Sequence, residues 1–359
     1  MNIAFDVSPI EDESMLSHRV RGTGFYIRNL KKALLTYQAQ NKFIFFTRNN
    51  RFLRDVDIVH YPYFEPFFLT LPLKKRFPTV VTIHDLIPFV FKDFFPAGLK
   101  GTIIWQVQKR ILKHINGIIS DSQCSKKDIV RFVGVPEDKI YVVYLAAGEE
   151  FEKMKSSSAS WQMKVQSLRK KYNLPEKFVL YVGDVTWNKN LPRLVEAIKK
   201  INVPLVMVGK ALTQNNFDRT NPWNQDLVKV QKSTENDKRF IRLGFLPTED
   251  LVSLYNVATV FVIPSLYEGF GLPLLEAMSC GCPAVVSPEG SLPEAAEDAA
   301  LYVDAYDVLS MANGIGELYF NKDLQHKLSQ KGLAQVKKFS WENTAKETIK
   351  AYETILGTK

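Results

Sequence analysis

Short apolar runs alternate with longer amphipathic stretches along this chain, and midway the series stops and restarts. NIAFDV (2–7), FIFFT (43–47), TVVTIHD (79–85), GIISDS (117–122) and IYVVYL (140–145) form a first set. FVLYVGD (178–184), LVMVG (205–209), FIRLGF (240–245), TVFVIPS (259–265), PAVVSP (283–288) and LYVD (301–304) form a second. Helix-period segments at 25–37, 98–115, 191–200, 248–256 and 273–280 fall between them. Each connection therefore reads as a βαβ crossover and each sheet as parallel, an α/β arrangement made twice in tandem. With 359 residues, 46% of them hydrophobic, the chain is long enough for each half to bury a core of its own.

The interruption is FEKMKSSSASWQMKVQSLRKKYNLP (151–175), where Ser and Lys accumulate and the strand pattern lapses. A serine cluster flanked by charge reads as a boundary, with the hinge near 152–160, although Trp161 to Tyr172 also fits a short exposed helix. The expected domains are residues 1–155 and 156–340. Open α/β sheets bind ligands beyond the carboxyl ends of their strands, so two of them are expected to face a central cleft.

The formal charge is +9. Residues 1 to 150 hold 21 Lys and Arg against 15 Asp and Glu, so the excess sits mainly in the first half. The positive charge is spread and the aromatics fall in apolar strands, a pattern unlike the clustered cations and exposed rings of a nucleic-acid binder. No apolar run is long enough to cross a bilayer, and the opening MNIAFDVSPIEDE turns acidic where a secretory signal needs a basic start. A cytoplasmic location is expected. Cys124, Cys280 and Cys282 include a C-x-C without neighbouring histidines, which is no zinc spacing, so buried reduced thiols and no metal are expected.

The stretch SLYEGFGLPLLEAMSCGCPAVVS (265–287) places two glutamates around a glycine-rich turn that runs into a helix. Strand 259–265 ends at Ser265, and Tyr267 to Gly271 make the loop. Pro273 stands where a first helical turn accepts proline. Gly269 and Gly271 let backbone approach a ligand, and the amides at the helix start suit an anion such as phosphate. Glu276, one turn in, can take a vicinal diol, because one carboxylate accepts two hydrogen bonds. Glu268 can do the same for a second sugar. The bland alternative is a tight turn with solvated glutamates. The position of the loop, at a strand's carboxyl end before a proline-started helix, favours binding.

The run of Glu268, seven residues and Glu276 resembles the donor-sugar motif of the retaining glycosyltransferases of family 4, mannosyltransferase-like members included. RGTGFYIRNL (21–30), VVTIHDLIP (80–88), ISDSQCSKKDI (119–129), GDVTWNKNLPRLVEAI (183–198), RLGFLPTEDLVSLY (242–255) and SLPEAAEDAALYVD (291–304) are similar to that family in the same order. The resemblance spans nearly the whole chain and implies the GT-B fold, two Rossmann-like domains with parallel sheets. Residues 341–359, which include FSWENTAKETIKAYETIL (339–356) in large part, would form a helix returning to the first domain.

The resemblance also implies roles. Glu276 would hold the ribose of a nucleoside diphosphate sugar. Glu268, with the amides of Gly269, Phe270, Gly271 and Leu272, would hold the transferred sugar and diphosphate. Gly183, Asn188 and Lys189 would belong to the same donor site, with Lys189 neutralising the leaving diphosphate, since C–O cleavage piles charge on phosphate oxygens. Relatives often carry an arginine five residues before this lysine or immediately before it; Asp184 and Asn188 stand there, leaving Lys189 alone or assisted by Arg193 or Lys210.

In the first half, Gly22 and Gly24 read as a loop after the first strand and before a helix starting near Phe25. No third glycine completes a dinucleotide fingerprint, and the gap from the strand argues against a nicotinamide cofactor. By resemblance this loop closes over the donor diphosphate, and His84 lies against the reacting sugar. Asp121, Ser122 and Ser125 brace the site or cap a helix. The segment 98–115 puts Ile104, Val107, Ile111 and Ile115 on one face with Lys109, Arg110 and Lys113 displaced from it. It reads as a helix packed on its sheet with a solvated basic edge, or as peripheral contact with an anionic membrane at its inner face.

These readings converge on a metal-independent hexosyltransferase. It would move a hexose from a nucleoside diphosphate sugar, GDP-mannose by resemblance, to a hydroxyl of a glycan or lipid-linked glycan with retention. The donor is a substrate, and no cofactor is expected. A nucleotide-sugar epimerase on the same plan is the alternative enzyme, and a basic nucleic-acid-binding protein the alternative of another class.

Overall fold

The computed structural model describes residues 1–11, 21–47, 54–155 and 158–357. The chain forms two compact units, Met1–Ala146 with Phe339–Lys359, and Ala147–Lys338. The division falls at 146/147, so the serine-rich segment at 152–160 lies inside the second unit, with residues 156 and 157 outside the described set.

Unit 1 contains β1 (Asn2–Asp6), α1 (Ser8–Glu11), α2 (Arg21–Tyr37), β2 (Lys42–Phe46), β3 (Ile58–Tyr61), β4 (Thr79–Ile83), α3 (Ile87–Val90), α4 (Gly98–Lys113), β5 (Gly117–Ser120), α5 (Gln123–Asp128) and β6 (Ile140–Val142). Its six strands run parallel in the order β2-β1-β3-β4-β5-β6. Strands β3, β4 and β5 are buried along their whole length, which is why they read as apolar runs rather than alternating ones. Ala4, Val59, Val81 and Ile118 from the sheet pack with Trp105 and Leu112 of α4 and with Ile129 and Val133 beyond α5.

Unit 2 contains α6 (Ala159–Tyr172), β7 (Val179–Val182), α7 (Leu191–Ile201), β8 (Leu205–Val208), α8 (Gln225–Thr234), β9 (Phe240–Leu243), α9 (Thr248–Val257), β10 (Val260–Ile263), α10 (Leu272–Ser279), β11 (Ala284–Val286), α11 (Leu292–Ala296), β12 (Leu301–Tyr302), α12 (Val308–Phe320) and α13 (Lys322–Gln335). The last helix, α14 (Trp341–Leu356), belongs to unit 1. The unit 2 sheet is parallel in the order β12-β11-β10-β7-β8-β9. Numbered within the unit, that order is the doubly wound 3-2-1-4-5-6 in reverse, with winding changing direction between β7 and β10. Helix α7 shows how such an element forms. Leu191, Leu194, Val195 and Ile198 make a buried stripe at three- and four-residue spacing, Pro192 sits in the first turn, and left-handed Asn202 ends the helix.

One expectation is corrected. Gly22 and Gly24 do not lie in a loop before a helix at Phe25; both are inside α2, which starts at Arg21. Two glycines cost a helix about 2 kcal/mol relative to alanine, yet Tyr26, Ile27, Leu30, Ala33 and Leu34 are buried on one side of α2, and that packing outweighs propensity. Neither glycine has a positive φ.

Candidate functional site

The change of winding in unit 2 places the loops after β7 and β10 side by side, where doubly wound sheets take their ligands. Asn188, buried, stitches the two loops together. Its carbonyl accepts from the Leu266 amide at 2.7 Å, and its Nδ2 donates to the Tyr267 carbonyl at 3.1 Å. Asn190, left-handed at φ 60°, turns the chain into α7, and its Nδ2 donates to the carbonyls of Pro264 and Ala305. Gly183 lies against Gly209, where an added Cβ would collide with the Gly183 carbonyl.

These contacts bring together two of the expected residues. Lys189 Nζ donates to both carboxylate oxygens of Glu268, at 2.8 Å each. The Lys189 side chain is 23% exposed and that of Glu268 11%, so the pair is largely but not wholly shielded from solvent. Ser265 Oγ also donates to Glu268 Oε1, at 2.6 Å. The Glu268 carbonyl accepts from the Ser291 amide at 3.2 Å and from Ser291 Oγ at 3.0 Å. Gly290 permits that approach, since a Cβ there would meet the Glu268 amide nitrogen at 2.6 Å and its φ is +65°.

Gly269 and Phe270 carry the loop to Gly271, whose φ of 96° belongs to glycine and which starts α10 without a side-chain cap. A Cβ there would also press on Leu292 at 2.9 Å. With Pro273 in the first turn, α10 begins at Leu272, four residues after Glu268, and a helix amino end of this kind suits an anion.

Glu276, one turn into α10, accepts a hydrogen bond from Tyr255 Oη at 2.9 Å. Burial pushes its carboxyl up from the usual 4.5 to about 7; the Tyr255 bond opposes this, and the Glu150 carboxylate adds to it. The group thus titrates near neutrality instead of standing fully ionised. Tyr255 is completely buried, with Phe151 and Phe261 edge-on to its ring, which fixes the hydroxyl under Glu276.

The remaining expected residues belong to unit 1. His84 follows β4, and its Nδ1 lies 2.6 Å from Asp121 Oδ2. The Ser125 hydroxyl donates to the His84 carbonyl at 2.9 Å, and the Tyr26 ring meets the imidazole edge-on at 4.9 Å. Burial works against charge on His84, but the Asp121 carboxylate outweighs it and the imidazole pKa is raised. Nε2 of His84 is buried with no partner among the described residues. Ser122 caps α5 by accepting from the Ser125 amide. Gly22 and Gly24, within α2, contribute no loop. Of the cations proposed to assist Lys189, Arg193 holds Asn190 Oδ1 at 2.9 Å.

Sequence reasoning missed Ser265, Tyr255, Gly290 and Ser291. Each supports a glutamate from an element distant in sequence or with no local signature of its own.

Two family descriptions match: "Glycosyl transferases group 1" over residues 164–335 and "Glycosyltransferase Family 4" over residues 6–147. Among relatives, the O-antigen chain mannosyltransferase B of Escherichia coli is 32% identical over 313 residues, 83% of this chain and 76% of that protein. The serotype-specific mannosyltransferase WbdA of Escherichia coli is 29% identical over 290 residues, and the chain spans about a third of its length, the match covering 34% of it. Sucrose-phosphate synthase from Thermosynechococcus elongatus superimposes with a TM-score of 0.75 at 20% identity, covering 100% of both chains. Anabaena HepE, solved in complex with UDP and glucose, gives 0.71 at 16% identity over 99% of this chain and 100% of that one. The fold is GT-B, and the chain belongs to the group 1 and family 4 glycosyltransferases.

Proposed function

We propose that this glycosyltransferase moves a hexose, mannose in the first instance, from a nucleoside diphosphate sugar to a hydroxyl of a glycan or lipid-linked glycan, with retention and without a metal. The observation that carries the reading is the meeting of Lys189 and Glu268 at the winding change of unit 2, beside the uncapped start of α10. A diphosphate takes Lys189 and the amides at 269–272, the sugar takes Glu268 once Lys189 turns to phosphate, and the ribose diol takes Glu276. By the family resemblance, His84, held by Asp121, is the unit 1 residue assigned to the transferred sugar. The mannosyltransferase names of the relatives support the choice of sugar, and the UDP and glucose of HepE support a nucleotide-sugar donor. Metal independence is supported by the cation already in place at Lys189. With a lipid-linked acceptor, the enzyme works at the inner face of an anionic membrane.

The test is a thermal-shift screen against GDP, UDP, ADP and dTDP sugars, because a ligand bound only by the folded state raises apparent stability. One donor, GDP-mannose by expectation, raises the midpoint and Glu276→Ala removes the rise. Incubation with that donor alone returns it unchanged or slowly hydrolysed. Conversion to an epimeric sugar would instead establish the epimerase, and a screen with no shift for any sugar nucleotide would sink the donor assignment.

A further inference from the structure

In unit 2, strands β11 and β12 stand on the side of the sheet away from β8 and β9. The loops that follow them, at the carboxyl ends where such sheets take ligands, are anchored on residues that build the Lys189–Glu268 site. Gly290 brings the β11 loop against the Glu268 backbone. Asn190 Nδ2 donates to the Ala305 carbonyl of the β12 loop at 2.7 Å, and Arg193 donates to Asn190 Oδ1 at 2.9 Å. The residues next to these anchors, Glu289 and Tyr306, have no part in the donor site described above.

Tyr306 is 51% exposed, and Leu309, three residues on in the first turn of α12, is 56% exposed. Met311, Ile315 and Leu318 bury the inward face of α12, so packing accounts for that face and not for the outward pair. The Arg193 guanidinium lies 5.9 Å from the Tyr306 ring centroid. Partial burial raises the pKa of the Tyr306 hydroxyl; the Glu289 carboxylate adds to the rise, Arg193 opposes it and the Asp304 carboxylate adds further, so all three charges stand around one ring. Asp304 Oδ1 accepts from the Tyr306 amide at 2.8 Å, which fixes the turn that carries the ring. The half-buried Glu289 carboxylate accepts no hydrogen bond from the described residues.

A pyranose has two kinds of surface, C–H bonds on its faces and hydroxyls around its rim. The electron-rich face of an aromatic ring suits the first, while a carboxylate accepts from neighbouring hydroxyls and a guanidinium donates to them. We propose that Tyr306, Glu289, Asp304 and Arg193 form a subsite for a neutral sugar of the glycan acceptor, the pyranose lying on the Tyr306 ring with its hydroxyls on the two carboxylates and the guanidinium. One cation against two carboxylates leaves the patch net acidic, so a phosphorylated ligand is disfavoured there. The inference rests on the reading of this chain as a hexosyltransferase acting on a glycan, and its test needs no donor.

The full chain is titrated with an α-linked mannotriose in the absence of nucleotide, and binding is followed by ligand-observed NMR. The wild type is expected to bind. Tyr306→Ala is expected to weaken that affinity about tenfold, the scale of one aromatic contact, and Tyr306→Phe to keep it. Glu289→Gln is expected to weaken it about fivefold by removing a charged acceptor. Thermal midpoints should stay at the wild-type value because neither side chain is in the core, and the rise in midpoint given by the sugar nucleotide should persist in Tyr306→Ala. Saccharide binding that Tyr306→Ala and Glu289→Gln both retain overturns the subsite, as does a wild type that ignores the trisaccharide with and without GDP or UDP. A sugar-nucleotide shift lost in Tyr306→Ala would move the ring into the donor site and overturn the acceptor assignment. Trisaccharide binding weakened by Tyr306→Ala, in a chain that no sugar nucleotide stabilises, would uphold the subsite while the donor reading fails.

Discussion

Lys189 shows how one side chain serves structure and chemistry together. Its ammonium balances Glu268, whose carboxylate also accepts from the Ser265 hydroxyl. Lys189→Ala should therefore cost about 1–3 kcal/mol of stability by leaving a mostly buried carboxylate without its counter-charge. If the same cation meets charge that develops on the departing diphosphate, turnover should fall about a hundredfold or more, and donor affinity by less. Steady-state kinetics with and without a chelator tests this; near-normal turnover in the variant, or a wild type silenced by chelator, refutes it. Glu276 behaves differently because its carboxyl titrates at about 7. A diol is best held by the carboxylate, so wild-type donor affinity should improve as pH rises through neutrality, while Glu276→Gln should bind about 10–100-fold more weakly and show no such slope. Titration of donor across that range decides it. Glu268, Glu276 and Gly271 were legible because a glycine turn, a proline-started helix and their spacing are local signals, whereas Lys189 entered only through the resemblance to family 4, a lone lysine before a helix carrying no such signal. Tyr255, Ser265 and Ser291 were not, because what they do exists only once α9, β10 and the loop after β11 are brought against the glutamates.

The carboxyl-terminal helix α14 is an element whose place depends on one polar contact as well as on packing. Trp341, Ala345, Ile349 and Tyr352 are buried on it, and the Tyr352 hydroxyl lies 2.6 Å from His60 Nδ1 in β3. His60 Nε2 is 2.7 Å from Thr82 Oγ1, which is 3.0 Å from the Tyr26 hydroxyl, so α14, β3, β4 and α2 share one buried chain of hydrogen bonds. Tyr352→Phe keeps the ring and leaves His60 Nδ1 without its partner, and should lower the stability of unit 1 by about 1–3 kcal/mol in urea unfolding. A loss near zero would mean that packing alone holds the helix. The helical spacing of 339–356 was readable, as were the apolar cores of eleven strands. Strand β3, IVHY, was missed because it is short and holds a histidine that turns out to be fully buried. The loop expectation for Gly22 and Gly24 failed because glycine reports backbone freedom, whereas the buried stripe from Tyr26 to Leu34 determines where α2 begins. Helices α12 and α13 went unread because nothing in their sequence signals a chain reversal as strongly as the glycine motif does.

At the scale of the whole molecule, the two units should answer pH in opposite senses. In unit 1, burial pushes His60 down from 6.5 to about 3, with the nearby His84 adding to the effect. The unfolded chain then binds the proton that the folded unit refuses, so this contribution is present above about pH 6.5 and is lost as pH falls toward 3. His84, raised by Asp121, stabilises the unit fully below about pH 6.5 and loses that contribution as pH rises through its folded value, so it changes little between about pH 6 and pH 5. In unit 2, Glu276 is raised from 4.5 to about 7. The folded unit holds the extra proton, and the contribution is complete below about pH 4.5 and lost as pH rises through 7. Between about pH 6 and pH 5, each group should change the stability of its unit by roughly 1 kcal/mol, His60 downward and Glu276 upward. For units of this size, that corresponds to thermal midpoints moving about 2–4 °C in opposite directions. Scanning calorimetry across that interval should resolve one transition falling and one rising, relative to variants in which the group is neutralised. Glu276→Gln should abolish the rise and leave the falling transition where it was. Transitions that move together in wild type, and are unaffected by Glu276→Gln, would show that neither buried group governs the acid response of its unit.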